Sequence, residues 1–404
     1  MKFVNGGVCA PYGFAASGVH CGIRRNKTKK DLALIVSKTR ANAAAIYTTN
    51  LVKGAPILVT KENISDGYAR AIICNSGNAN TCNANGVEIA RQMCDLVAEH
   101  TDVDANDVIV ASTGVIGQPL SIEPIKGGMD ELVASLSDKG GADAACAIMT
   151  TDVKMKEIAV SFELDGVTCH IGGIAKGSGM IHPNMATMLV FLTSDVAIDT
   201  PLLQKALKDD ADDTFNMISI DGDTSTNDTL AIMANGEAKN ARITGEGEAY
   251  ESFKSALNAV TKYLCRAIAA DGEGATKLLE CSVTGAKCKH CARTVAKSVI
   301  CSNLTKAAMF GADANWGRVL CAIGYSGADV DVTKIDVSFE SAKGEIKVCE
   351  NGAGVDFSEE KAKEILLESE IRIKIDLKSG DASAEAWGCD LTYDYVKING
   401  DYRT

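Results

Sequence analysis

Ala175-Lys176-Gly177-Ser178-Gly179-Met180-Ile181-His182-Pro183-Asn184-Met185-Ala186-Thr187-Met188-Leu189 runs from a glycine-rich turn, through a proline, into an apolar segment. Gly177 and Gly179 allow backbone geometries and close approaches that other residues forbid. Pro183 fixes its own φ. The apolar run Met188-Leu189-Val190-Phe191-Leu192 has strand length and β-branched content. Thr187 therefore stands where a turn enters a buried strand. In that place a threonine is ordinarily a strand former. The alternative is a nucleophile whose own peptide bond to Ala186 is cut. A threonine hydroxyl is a weak nucleophile and needs a base beside it. Cleavage would supply one, because the freed α-amine, with a pKa of about 7.7–8.0, can take the hydroxyl proton near neutral pH.

Outward from this junction, short apolar runs alternate with amphipathic segments. Asp31–Val36, Ala71–Cys74 and Val108–Ala111 read as strands, each closed by Gly, Asn or Ser. Apolar spacing predicts helices over Gly86–Glu99, Glu123–Leu136, Pro201–Asp209 and Ala249–Ala270. Toward the C-terminus, Lys334–Val348 and Ile371–Leu377 alternate as strands, with a helix over Ser358–Ser369 between them. The result is a mixed α and β chain without a repeat of fixed period. Its 404 residues leave room for two or three domains, and the best composition break lies near 280–285.

Lys+Arg 41 against Asp+Glu 53 gives a net charge of −12, which argues against a sequence-independent grip on nucleic acid or anionic membrane. The one compact basic stretch, Arg24-Arg25-Asn26-Lys27-Thr28-Lys29-Lys30, reads as a solvated loop. No apolar run approaches the ~20 residues of a membrane span. Met1–Gly7 lacks the charged and apolar regions of a signal peptide, so a cytoplasmic protein with reduced thiols is expected. The 15 cysteines are scattered without a disulfide framework. Among them, Cys281, Cys288, Cys291 and Cys301 form a local group containing a C-x-x-C, a pattern open to zinc or thiol redox chemistry. The second pair lacks knuckle spacing, and the segment reads as helix, so small buried thiols are the preferred reading. Two further motifs fail on inspection. Gly272–Lys277 lacks the second glycine of a phosphate loop. Asp221–Asp228 has the start of a calcium loop, but Thr226 stands at its sixth position and Ile232 at its twelfth. An Asp/Thr turn that satisfies its own backbone is the simpler reading.

Taken together, the strings along the chain resemble one family over its whole length, the ornithine acetyltransferases, also called glutamate N-acetyltransferases, of arginine biosynthesis. The resemblance is carried by Ala10-Pro11-Tyr12-Gly13-Phe14, Asn75-Ser76-Gly77-Asn78-Ala79-Asn80, Ser112-Thr113-Gly114-Val115-Ile116-Gly117 and Met149-Thr150-Thr151-Asp152. It continues through Lys176–Leu189, Asp221–Asp228, Asp271–Lys277, Asn315–Arg318, Asp390–Asn399 and Tyr402-Arg403-Thr404.

The resemblance implies a self-processing precursor cut between Ala186 and Thr187, giving an N-terminal chain, 1–186, and a C-terminal chain, 187–404. Thr187 would accept the acetyl group of N-acetylornithine and pass it to glutamate. Acetyl-CoA would be a further donor in those members that also make N-acetylglutamate afresh. Thr113 and Gly114 would form the oxyanion hole. Thr150, Lys176, Thr187, Glu273, Asn399 and Thr404 would contact substrate, with Lys176 facing a carboxylate and Glu273 or the Thr404 carboxylate facing the δ-ammonium of ornithine. No metal or organic cofactor is required. The implied fold is α+β, a four-layer α/β/β/α sandwich like that of N-terminal-nucleophile hydrolases. Residues 187–284 would complete the sandwich and 285–404 would form a smaller α+β domain. The two cleaved chains would pair and assemble as an α₂β₂ heterotetramer. A related self-processing aminopeptidase or amidase, passing the acyl group to water, is the alternative.

Overall fold

The apolar run after Thr187 forms a strand in which every residue is buried, at the middle of a nine-stranded sheet. This computed structural model describes residues 1–182 and 188–400. In chain order the strands are β1 (Lys2–Val4), β2 (Phe14–Val19), β3 (Leu32–Tyr47), β4 (Tyr68–Asn78), β5 (Val108–Val115) and β6 (Lys156–Leu164). They continue with β7 (Val167–Lys176), β8 (Leu189–Ser194), β9 (Ile218–Ser219), β10 (Thr229–Ala234) and β11 (Leu278–Ala286). The last are β12 (Asp336–Ser341), β13 (Gly344–Glu350), β14 (Ala353–Gly354), β15 (Glu370–Asp376) and β16 (Ala382–Cys389). The helices are α1 (Ala55–Asn63), α2 (Gly86–His100), α3 (Glu123–Ala134), α4 (Gly141–Ile148), α5 (Thr200–Asp213) and α6 (Glu248–Ala270). After them come α7 (Lys289–Cys301), α8 (Asn303–Phe310), α9 (Trp316–Gly324), α10 (Glu359–Leu366) and α11 (Tyr393–Asn399).

The first sheet has the order β1-β6-β7-β8-β10-β3-β4-β5, with β2 added on β3. Helix α4 packs against β6 and β7 and also against β2, β3 and β4. Strands lie about 4.8 Å apart, so a flat sheet would hold β7 and β3 about 14 Å from each other. One short helix meets both because the sheet curls around it. Residues alternate in side-chain direction along each strand. Thus Leu189 and Phe191 of β8, with Ile174, Met233, Ile72 and Ile109, face inward into one core cluster that also holds Ala144, Ala147 and Ile148 of α4. Val190 and Leu192 face outward onto Leu203, Leu257 and Leu264 of α5 and α6. At the far half, Ile73 and Val110 meet Met93, Val97 and Ile125 of α2 and α3. Helices α5 and α6 therefore flank one half of the curled sheet and α2 and α3 the other, the helix, sheet, sheet, helix layering, with the short helix α4 held inside the curl. Burial of both faces explains why β8 reads as a continuous apolar run. Truncating one such residue, Phe191, would cost about 3–5 kcal/mol.

The second sheet has the order β14-β13-β12-β15-β11-β16-β9. Helix α7 covers β11 and β16, α10 covers β12 and β13, and α6 stands between the two sheets. Strand β11 runs through the 284/285 boundary, and β9 joins the same sheet from much earlier in the chain. The run over 334–348 is two strands rather than one, because the chain reverses before Gly344, whose φ is +118°. Helix α5 continues beyond Asp209 because Asp210 turns inward, where Asn258 Nδ2 donates to it at 2.8 Å. Among the described residues, no helix is long and apolar enough to cross a membrane.

Candidate active site

Strand β5 ends in Ser112-Thr113-Gly114-Val115 beside β4, with Gly114 opposite Gly77. Gly114 has φ +130°, and a Cβ there would stand 2.3 Å from the Gly77 carbonyl carbon. Only glycine fits that approach. Thr113 and Gly114 border a cavity of about 350 Å³. Thr150, from the loop after α4, and Lys176, the last residue of β7, line it as well. Glu273, after α6, and Asn399, at the end of α11, complete the set. Six of the residues singled out from sequence thus meet on one surface. Ala186, Thr187 and Thr404 lie outside the described residues.

Lys176 is buried, and its Nζ donates to Thr113 Oγ1 at 3.3 Å. An ammonium has donors only, so the Thr113 oxygen accepts from it and the Thr113 O–H is left to donate elsewhere. Burial lowers the Lys176 pKa, and the nearby carboxylates of Asp152 and Asp228 offset part of that effect. The Asp152 carboxylate accepts from Lys156 Nζ at 2.6 Å, Gly177 N at 2.8 Å and Thr150 N at 2.9 Å. Burial works to raise its pKa, but Lys156, Lys176 and the Gly177 N–H outweigh burial and hold it at about 2. Lys156 Nζ also donates to Asp271 at 2.6 Å, and the same Asp271 oxygen accepts from the backbone of Val153 and Lys154. These buried groups fix the end of β7 and the 150–154 loop against the end of α6.

Glu273 is anchored by its backbone N–H on Ser178 O at 2.8 Å, and its carboxylate accepts from Asn399 Nδ2 at 2.7 Å. Gly179 makes room for it, since a Cβ there would stand 2.3 Å from Glu273 Oε2. Helix α11 is held over this edge by Thr392 Oγ1, which donates to Gly274 O at 2.7 Å.

The chain on either side of 183–187 is tied down beside the same cavity. Asp221 accepts from Met180 N at 2.6 Å and Ile181 N at 2.8 Å, and Thr224 Oγ1 donates to His182 O at 2.8 Å. On the other side, Thr229 N donates to Met188 O at 3.0 Å. Ile181 and Met188 border one small recess together with Thr113 and Lys176. The ring of His182 is 3.1 Å from Ser219 Oγ, and burial, with Lys297 nearby, lowers its pKa to about 4. It is neutral at pH 7.

Asp152, Lys156, Asp221, Asn227 and Asp271 were not among the residues singled out. All except Lys156 lie in strings that carry the family resemblance, and that was the available signal. Asn227 is the clearest case: its Nδ2 donates to Ala79 O at 2.5 Å and Ser112 O at 3.0 Å, bracing the turn that bears Thr113. The 221–228 loop therefore holds other segments and not only itself. The preferred reading of the cysteine group needs correction: Cys281 is buried, Cys291 and Cys301 are partly exposed, and Cys288 is exposed. Cys288 is the N-cap of α7 rather than an interior helical residue, so its side chain points to solvent.

The ArgJ family model matches residues 15–404. The arginine biosynthesis bifunctional protein ArgJ of Caldanaerobacter subterraneus subsp. tengcongensis is 53% identical over 405 residues, covering 100% of both chains. The protein of the same name from Symbiobacterium thermophilum is 50% identical, again over 100% of both. The crystal structure of the arginine biosynthesis bifunctional protein ArgJ from Bacillus halodurans is 46% identical, with a TM-score of 0.51, covering 53% of this chain and 99% of that one. With its glycine-built turn, buried lysine and shared cavity already in view, the chain belongs to the ArgJ family and is an acetyltransferase of arginine biosynthesis.

Proposed function

We propose that the acetyl group travels from N-acetylornithine to glutamate on Thr187, after the chain has cut itself between Ala186 and Thr187. The observation that carries this reading is the convergence of Thr113, Gly114, Thr150, Lys176, Glu273 and Asn399 on one cavity, with Ile181 and Met188 bordering its recess. Thr187 Oγ attacks the acetyl carbonyl while its own α-amine takes the hydroxyl proton. The charge that develops on the carbonyl oxygen is met by the Thr113 O–H, which Lys176 leaves available by donating to Thr113 Oγ1, and by the Gly114 N–H. Collapse breaks the C–N bond, the α-ammonium returns its proton to the leaving amine, and ornithine departs. The amine of glutamate then attacks the acetyl-threonine by the reverse path. Glu273, held by Asn399, or the carboxylate of Thr404 accepts the δ-ammonium of ornithine. Acetyl-CoA serves as a second donor, in keeping with the word bifunctional in the relatives' names.

A solved relative's chain that is matched over 99% of its length by 53% of this chain supports a cut near the middle. The two pieces assemble as an α₂β₂ heterotetramer in the cytoplasm, and the 15 free thiols suit a reducing compartment. Intact mass spectrometry after incubation with N-acetylornithine alone tests the central step. One acetyl group is expected on the piece beginning at Thr187, and Thr187→Ala is expected to remain a single unacetylated chain. A cut enzyme that turns over without ever carrying acetyl on Thr187 would overturn the reading. Light scattering checks the tetramer, and glutamate acetylation with acetyl-CoA as sole donor checks the second donor.

A further inference from the structure

Cys288-Lys289-His290-Cys291 opens α7 on the second sheet, and the acetyl-transfer site makes no use of it. The two sulfurs are 2.9 Å apart, and among the described residues no other pair of cysteine sulfurs is in contact. Cys288 is exposed and Cys291 partly so, which leaves both within reach of small solutes. The Cys291 N–H donates to Cys288 Sγ at 3.3 Å, so the first sulfur caps the helix. A sulfur in that position is stabilised as thiolate by the orphan N–H groups of the first turn. Consistently, the thiol and backbone N–H of Cys291 lower the Cys288 pKa, while Cys288 raises that of Cys291. This is the asymmetry of an attacking and a resolving thiol. Among the described residues no group of three or more His, Cys, Asp or Glu side chains is arranged to hold a metal ion.

We infer that Cys288 and Cys291 form a thiol–disulfide exchange site for low-molecular-weight disulfides. The Cys288 thiolate attacks one sulfur of the small disulfide, forming a mixed disulfide and releasing one small thiolate. Cys291, as thiolate, then attacks Cys288 Sγ, forming the Cys288–Cys291 bond and releasing the second small thiolate. The protein gives up two electrons and two protons, and the small disulfide becomes two thiols. The other exposed cysteines, Cys82, Cys146 and Cys321, have no resolving sulfur and stop at the mixed disulfide.

Oxidised glutathione, added to the intact enzyme and followed by alkylation and peptide mass spectrometry, tests this. Residues 288–291 are expected to lose both alkylation sites as one internal disulfide, and dithiothreitol should restore them. Cys291→Ser should trap glutathione on Cys288 about 10-fold faster than it appears on Cys321. The inference fails if Cys288 and Cys291 remain alkylatable when Cys321 already carries glutathione. It fails equally if Cys288 in the serine variant reacts no faster than Cys321, or if Cys288 pairs with another cysteine. Serine differs from cysteine by one atom and Cys291 is only partly buried, and the circular-dichroism spectrum of Cys291→Ser should match the wild type.

Discussion

The oxyanion role proposed for Thr113 rests on geometry set by two neighbours, Lys176 on its oxygen and Gly114 after it. Thr113→Ala should lower kcat by about 10²–10³ with little change in KM, because an oxyanion donor acts on the transition state. Thr113→Ser, which keeps the hydroxyl, should recover most of that loss in the same steady-state assay. Glu273→Gln should raise KM for N-acetylornithine while the self-cut persists, and an unchanged KM would remove Glu273 from ammonium recognition. Lys176 adds a pH dependence. Burial places its pKa below that of an ordinary lysine, so rising pH removes the cation, and with it the hold on Thr113, earlier than usual. The alkaline limb of kcat should therefore fall below the usual lysine range, and Lys176→Met should abolish that limb along with most activity. Thr113 and Gly114 were legible only through the family resemblance, which the contiguous string Ser112–Gly117 helps to carry; by residue type alone they read as a plain strand-ending turn. Asp152 and Asp271 were not legible, since their partnership through Lys156 joins residues more than a hundred positions apart.

At the scale of elements, the Asp152–Lys156–Asp271 cluster joins the start of β6, the end of β7 and the end of α6. Both carboxylates meet one buried ammonium, so Lys156→Met would leave two buried charges without their cation, a change that typically costs about 3–5 kcal/mol. A lowered unfolding midpoint in urea is the expected readout. The pH dependence follows from sign. The pKa of Asp152 in the folded protein, about 2, is below its ordinary value of 3.8. Its contribution is thus complete above about pH 4 and is lost as pH falls toward 2, while the unfolded chain takes up the proton first. Thermal melts from pH 5 to pH 2.5 should show this loss in the wild type. Asp152→Asn should be less stable at pH 5 and should show a smaller further drop. Periodicity marked β3, β4, β5, β8, β12, β13 and β15 and the helices α2, α3, α5, α6, α7 and α10, but not β6, β7, β10, β11, β16 or the short helices α1, α4, α8, α9 and α11. Nor did it mark β9, because two residues carry no period, and α5 ran past Asp209 because a charged residue found a buried partner.

At the scale of the molecule, the proposed cut falls inside a sheet and not between domains. Strand β7, before it, pairs with β8, after it, from Ile171↔Ser194 to Lys176↔Leu189. Strand β3 pairs with β10 from Asn42↔Ala234 to Tyr47↔Thr229. The inner core repeats this sharing, since Ala144, Ala147 and Ile148 from the first piece belong to one buried cluster with Leu189, Phe191 and Met233 of the second. Separating the pieces would break two antiparallel ladders and expose that core, so they should behave as one folded unit. The cut enzyme, diluted to nanomolar concentration in native buffer, should elute from a sizing column with both pieces in one peak. Denaturant should resolve them, and the concentration at which they part should match the loss of the circular-dichroism signal. If the pieces instead separated in native buffer while each kept its secondary structure, the shared sheet would not be what holds the molecule together. The layering that follows from the position of β8 would then have to be abandoned.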